Sequence, residues 1–141
     1  MTAQTTASGE EHSLPPLDPL TFPDLGKFEP NSFAHTFVEV GEAWASAAAA
    51  LELLEEGRKV VLAKLVQKHQ AEGYNASAKG LSRQAAEDRA LADPEYKSFL
   101  LKLRSHRERA NQLRVRWDSC KMYVELVRSK MATDRAEMMI R

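Results

Sequence analysis

The chain has 141 residues, with 20 basic and 20 acidic side chains and a formal net charge of zero. That length suits one domain, or one domain with a tail, and the balance excludes an acidic solvating tail or a wholesale nucleic-acid coat, both of which need one sign in excess. Hydrophobic residues are 43% and charged residues 28%, a composition that folds, while a single cysteine, Cys120, excludes an internal disulfide and a multi-cysteine zinc site.

Residues 1–30 differ from the rest. They hold five of the six prolines (Pro15, Pro16, Pro19, Pro23 and Pro30), and proline removes a backbone donor and disfavours a helical residue before it. This stretch is expected to be a flexible or extended arm. Its apolar residues (Leu14, Leu17, Leu20, Phe22, Leu25, Phe28) are too many for an inert tail, so it is expected to lie along a partner or along the protein's own helices. No basic region precedes an apolar core at the N-terminus, so no secretory signal is read there. The longest apolar run, Ala47–Leu51, falls far short of the ~20 residues of a membrane span. A cytoplasmic location is the default.

A proline-free stretch from Asn31 to about Gly73 follows. Asn31 or Ser32 is the expected N-cap. Phe33, Phe37, Val40, Trp44, Ala47, Leu51 and Leu54 recur in alternating steps of four and three, and Val61 and Leu65 resume the row after Arg58 takes one position. This predicts a long helix with a heptad seam. Gly57 interrupts it as a kink or a close approach, at a cost of about 1 kcal/mol against alanine. The run Gly73–Gly80 reads as a loop. Ser82 is an N-cap for a short helix over 83–92, and Asp93-Pro94 is a second start signal. From Pro94 to near Arg141 neither proline nor glycine recurs. Tyr96, Phe99, Leu103, His106, Ala110, Leu113, Trp117, Cys120, Val124, Val127, Met131, Asp134 and Met138 form a second seam.

The expected fold is therefore all-α: a long antiparallel two-helix hairpin, coiled-coil-like, over residues 31–141, with a short connecting helix and the arm over residues 1–30. Placing Leu65 beside Leu103 sets Trp117 against Leu51 and Ala47–Ala50, Trp44 against Val124, and Phe33 near Met138, with Met131 and Met138 in the core. Apolar residues off the seam, such as Leu53, Leu101, Val115 and Leu126, widen the stripe beyond what two helices cover, which predicts a homo-oligomer.

The neutral total hides a split. Residues 1–30 carry −4, residues 31–73 −2, residues 74–92 +1 and residues 93–141 +5. The last segment concentrates Lys102, Arg104, Arg107, Arg109, Arg114, Arg116 and Lys121. Guanidinium forks suit phosphates, so these seven are the candidate contacts to a nucleic-acid backbone or to an acidic protein. The more ordinary use of such a face is a solvated flank paired with Glu52, Glu55 and Glu56 of the first helix, and the acidic arm is a further candidate cover.

No catalytic or metal-binding set is legible. None of His12, His35, His69 and His106 lies three or four residues from another histidine or cysteine, and no phosphate loop, nucleophile elbow or HExxH occurs. His106 and Cys120 fall on the seam, where packing is their expected role. No cofactor is implied, and the chain reads as a non-enzyme.

Three stretches, Leu51-Glu-Leu-Leu-Glu-Glu-Gly-Arg-Lys-Val-Val-Leu-Ala-Lys-Leu65, Ala90-Leu-Ala-Asp-Pro-Glu-Tyr96 and Glu125-Leu-Val-Arg-Ser-Lys-Met-Ala-Thr-Asp-Arg-Ala136, together resemble small helical coiled-coil proteins of bacteriophages and prophages. The resemblance covers about residues 45–141. It implies a phage accessory protein of DNA metabolism or recombination, working beside single-strand annealing or nuclease-inhibiting proteins, and it transfers no catalytic residue. The alternative is an adaptor or inhibitor that binds a host nuclease or another host or phage protein without touching nucleic acid.

Overall fold

The computed structural model describes residues 13–76 and 80–141. The first twelve residues of the arm, and residues 77–79 of the expected loop, lie outside that range. The described chain is all-helical: one 3-10 turn (Leu25–Lys27), then α1 (Pro30–Ala76), α2 (Arg83–Ala92) and α3 (Pro94–Ile140). No helix of the described residues is long and apolar enough to cross a membrane.

The helix starts follow local chemistry, with one departure from expectation. Ser82 caps α2 by accepting from the Ala85 N–H at 3.2 Å. Asp93 caps α3 by accepting from the Glu95 N–H at 2.8 Å, with Pro94 as the first helical residue, where its missing N–H costs nothing. Asn31 and Ser32 do not cap α1. The helix starts at Pro30, and the Glu29 carboxylate accepts from the Asn31 N–H at 3.2 Å and the Ser32 N–H at 2.6 Å. Those bonds, the Ser32 N–H foremost, hold the Glu29 carboxyl below its ordinary range. With proline at the first helical position, the cap lies at Glu29, two residues before Asn31.

The described residues fall into two compact units. One is formed by Ala49–Glu108: the second half of α1, α2 and the start of α3. Leu65, Ala90 and Tyr96 are its buried centre, with Val61, Leu62, Val66 and Leu100 packed around them. Arg58 Nε, at a seam position, donates to the Tyr96 hydroxyl at 3.2 Å. Leu81 sits against Gly73 so closely that a Cβ there would lie 2.6 Å from the leucine Cγ. Gly80, at φ 64°, supplies the left-handed residue that turns the chain into α2.

The other unit is formed by Pro15–Ala48 and Arg109–Arg141. Its core is Phe33, Val40, Cys120, Tyr123 and Val127, lined by Leu20, Phe22, Leu25, Phe28, Phe37, Trp117 and Val124. The Phe33 ring centroid lies 5.1 Å from Tyr123 and 5.5 Å from Phe28. Trp117 lies 4.2 Å from Phe37 and 6.2 Å from Trp44.

These contacts correct the expected register. Trp117 faces Phe37, Gly41 and Trp44, not Leu51, and Phe33 meets Tyr123, not Met138. The first unit departs from that register as well. The short helix packs its Ala90 beside Leu65, and Asp93 then stands beside His69. The third helix thus starts alongside the interior of α1 and not at its end. Met131 and Met138, expected in the core, are exposed (Met138 at 76%), because α1 begins at Pro30 and leaves the last turns of α3 without a neighbour.

Two glycines of α1 have opposite roles. A Cβ on Gly41 would lie 2.7 Å from Cζ3 of Trp117, whereas one on Gly57 would meet nothing within 4 Å. Gly57 therefore serves no close approach. Gly57→Ala is expected to stabilise by about 0.5–1 kcal/mol through helix propensity. Gly41→Ala is expected to destabilise, because displacing a packed indole costs about 1–3 kcal/mol against the same gain of about 1. Urea unfolding of the two variants would have to move in opposite directions.

Candidate nucleic-acid interface

Of the seven cationic candidates on α3, three lie in the first unit. Lys102 is exposed, with no ion pair among the described residues. Arg104 pairs with Glu108 one turn on, at 3.1 Å. Arg107 reaches Glu55 of α1 at 3.2 Å, the one pairing with the acidic first helix among the described residues. Both pairs are solvent-exposed and contribute about 0.2–1 kcal/mol at most, so neither withholds its arginine from a stronger anion.

In the second unit the cations sort into two rows, each in steps of seven residues, which places each row along one side of the helix. One row is Arg109, Arg116, Tyr123 and Lys130. Its first three members donate to the arm: the Arg109 guanidinium to the Pro15 carbonyl, the Arg116 guanidinium to the Asp18 carbonyl, and the Tyr123 hydroxyl to the Pro23 carbonyl at 2.8 Å. Lys130 pairs with Asp134 at 2.9 Å. The arm is thus laid along α3. Leu17, Leu20, Leu25 and Phe28 are half-buried while Pro15, Pro16, Pro19 and Pro23 are exposed, and Asp24 and Phe28 have φ/ψ of −54°/146° and −63°/125°. Phe22 stacks on Tyr123 at 4.8 Å, 11° from parallel.

The fit is imperfect in two places. The Nε of Arg109 is buried with no hydrogen-bond partner among the described residues, which costs about 1–3 kcal/mol. Between the arm and the first turns of α1, a cavity of about 220 Å³ is lined by Phe22, Lys27, Glu29, Phe33 and Thr36 among others.

The other row is Arg114, Lys121, Arg128 and Arg135. Lys121 pairs with Asp118 and Arg128 with Glu125, each at 3.0 Å and each exposed. Arg114 and Arg135 are exposed, with no partner among the described residues. Lys121, Arg128 and the Glu125 carboxylate border a groove of about 420 Å³ whose apolar walls are Pro30, Phe33, Ala34, Phe37 and Val124. Cations beside aromatic and aliphatic walls are the combination that holds a phosphate backbone and its bases together. Sequence reading stopped at Lys121 and missed Arg128 and Arg135, although the seven-residue spacing was available to find them.

His69 Nε2 lies 2.8 Å from the Asp93 carboxylate and its Nδ1 3.4 Å from Glu72. The Glu95 N–H, then His69, hold the Asp93 carboxyl below its ordinary range. No sequence spacing points to this pair, whose members are 24 residues apart. Cys120 is fully buried, and burial pushes its thiol up, away from the thiolate a nucleophile needs. Among the described residues no three His, Cys, Asp or Glu side chains come together as a metal site.

No family model, curated protein or solved structure matches this chain.

Proposed function

We propose that this chain is a non-enzymatic helical interaction protein that binds nucleic-acid backbone through α3, as an accessory factor of phage or prophage DNA metabolism or recombination acting in the host cytoplasm. In this reading α1 and α3 are the two arms of one long antiparallel hairpin, with α2 in the connection. The protein works as a homo-oligomer, assembled through exposed apolar residues such as Met122, Leu126 and Ile140. The observation that carries the reading is the row Arg114, Lys121, Arg128 and Arg135 beside the apolar groove. Four cations one heptad apart recur about every 10 Å along a helix, a spacing that a flexible single strand, whose phosphates follow one another more closely, can meet by bending to it. The phage assignment rests on the sequence resemblance alone.

Fluorescence anisotropy with a labelled 20-nucleotide thymidine strand tests it. The full chain should bind, and its affinity should fall steeply between about 50 and 200 mM salt as counterions are released. Changing Arg114, Lys121, Arg128 and Arg135 together to glutamine should weaken binding by about 10²–10³-fold at 100 mM salt and flatten the log–log salt slope by about 3, at ~0.7 per phosphate. No binding at low salt, or an unchanged slope in the quadruple variant, removes the reading.

A further inference from the structure

Resting on the phosphate reading of α3, we infer that the arm is a built-in competitor: residues 15–28 cover a second row of phosphate ligands, Arg109 and Arg116, and a bound strand displaces them. The arm meets this row with neutral groups. Both guanidiniums donate to peptide carbonyls, Pro15 and Asp18, and a guanidinium bonded to a phosphate gains charge assistance and a bidentate geometry that a lone carbonyl cannot offer. The arm also leaves Arg109 incompletely served, with its Nε buried and unpartnered. The arm's carboxylates Asp18 and Asp24 are exposed and make no ion pair with Arg109 or Arg116, so the arm is held by apolar contacts and three side-chain-to-carbonyl bonds. A polyanion can outbid such a cover, whereas water does not.

The two rows then act in order. The open row, Arg114 to Arg135, takes the strand first. Displacement of the arm adds Arg109 and Arg116 from the other side of the same helix.

The test uses the full chain with Leu20→Ala and Phe22→Ala, which loosens the arm without touching a cation, and Tyr123→Phe as a milder variant that loses only the bond to the Pro23 carbonyl. Circular dichroism checks that the helices persist, and the rate of tryptic cleavage after Lys27 reports arm release. The arm-loosened chain should bind the thymidine strand about 25-fold more tightly at 100 mM salt, with a slope steeper by about 1.4, from two added phosphates at ~0.7 each. Tyr123→Phe should shift both in the same direction by less. Arg109→Gln with Arg116→Gln should abolish the gain in the loosened chain and weaken the parent by less than that gain, because in the parent the arm offsets part of the same contacts. In the parent, adding the strand should speed cleavage after Lys27. If the parent binds and the loosened chain, cleaved faster after Lys27, binds no better, the competitor role is overturned and the phosphate reading stands. If neither chain binds, both fall.

Discussion

Phe33→Ala should remove about 3–5 kcal/mol of stability, the usual range for deleting a buried phenyl ring, and urea unfolding with tryptophan emission as the probe would measure it. Phe33 is 8% exposed and is the ring around which the second unit is arranged. It lies within 5.1–6.3 Å, centroid to centroid, of Phe22, Phe28, Phe37 and Tyr123. Each aromatic pair adds about 0.5–1.5 kcal/mol beyond area burial, and the neighbours come from three different parts of the chain, so they cannot all close over the gap. The same variant should release the arm, because Phe22 and Phe28 lose their shared support. Tryptic cleavage after Lys27 would therefore rise along with the loss of stability. A cost under about 1 kcal/mol with the arm still protected would mean the aromatic cluster is not the core described above.

Leu65→Ala is expected to cost about 2–5 kcal/mol, and Leu53→Ala, twelve residues earlier in the same helix, within about 0.5. Leu65 is 3% exposed and sits between Ala90 and Tyr96, whereas Leu53 is 70% exposed. Both residues are leucines in the interior of α1, so helix propensity cancels from the comparison and only burial differs. Chemical denaturation of the pair isolates the packing of α1 against α2 and the start of α3. Equal costs would show that this part of α1 does not bury the side the heptad row defines.

The heptad rows were readable because they depend only on the 3.6-residue repeat. Phe33, Val40 and Leu65 in α1, and Tyr96, Leu103, Ala110, Leu113, Cys120 and Val127 in α3, are all buried as their spacing requires. The starts at Ser82 and Asp93 were readable for a similar reason: a cap is a contact between residues two or three positions apart. Tyr123 escaped this reading. It lies off the α3 seam and is buried because the arm lies on it, a contact with a residue 100 positions away. The register escaped too. A heptad row matches any partner shifted by seven residues about equally well, so spacing alone could not choose among the alternatives.

The seven cationic candidates were found as a cluster in sequence, but their division into an open row and a covered row was not. Arg114 and Arg116 are two positions apart and stand on different sides of the helix. One faces water and the other the arm.

Local order along the chain was thus determined by the amino-acid sequence itself: long helices where proline is absent from the interior, caps at Ser82 and Asp93, an extended stretch where prolines crowd, and a basic third segment after an acidic first one. Each of these follows from forces acting within a few residues. Which turn of α1 meets which turn of α3, whether the last methionines are covered, and which arginines the arm occupies were decided only by the tertiary structure. Those outcomes depend, within each unit, on contacts between residues distant in sequence, such as Leu65 with Ala90 in one and Phe33 with Tyr123 in the other.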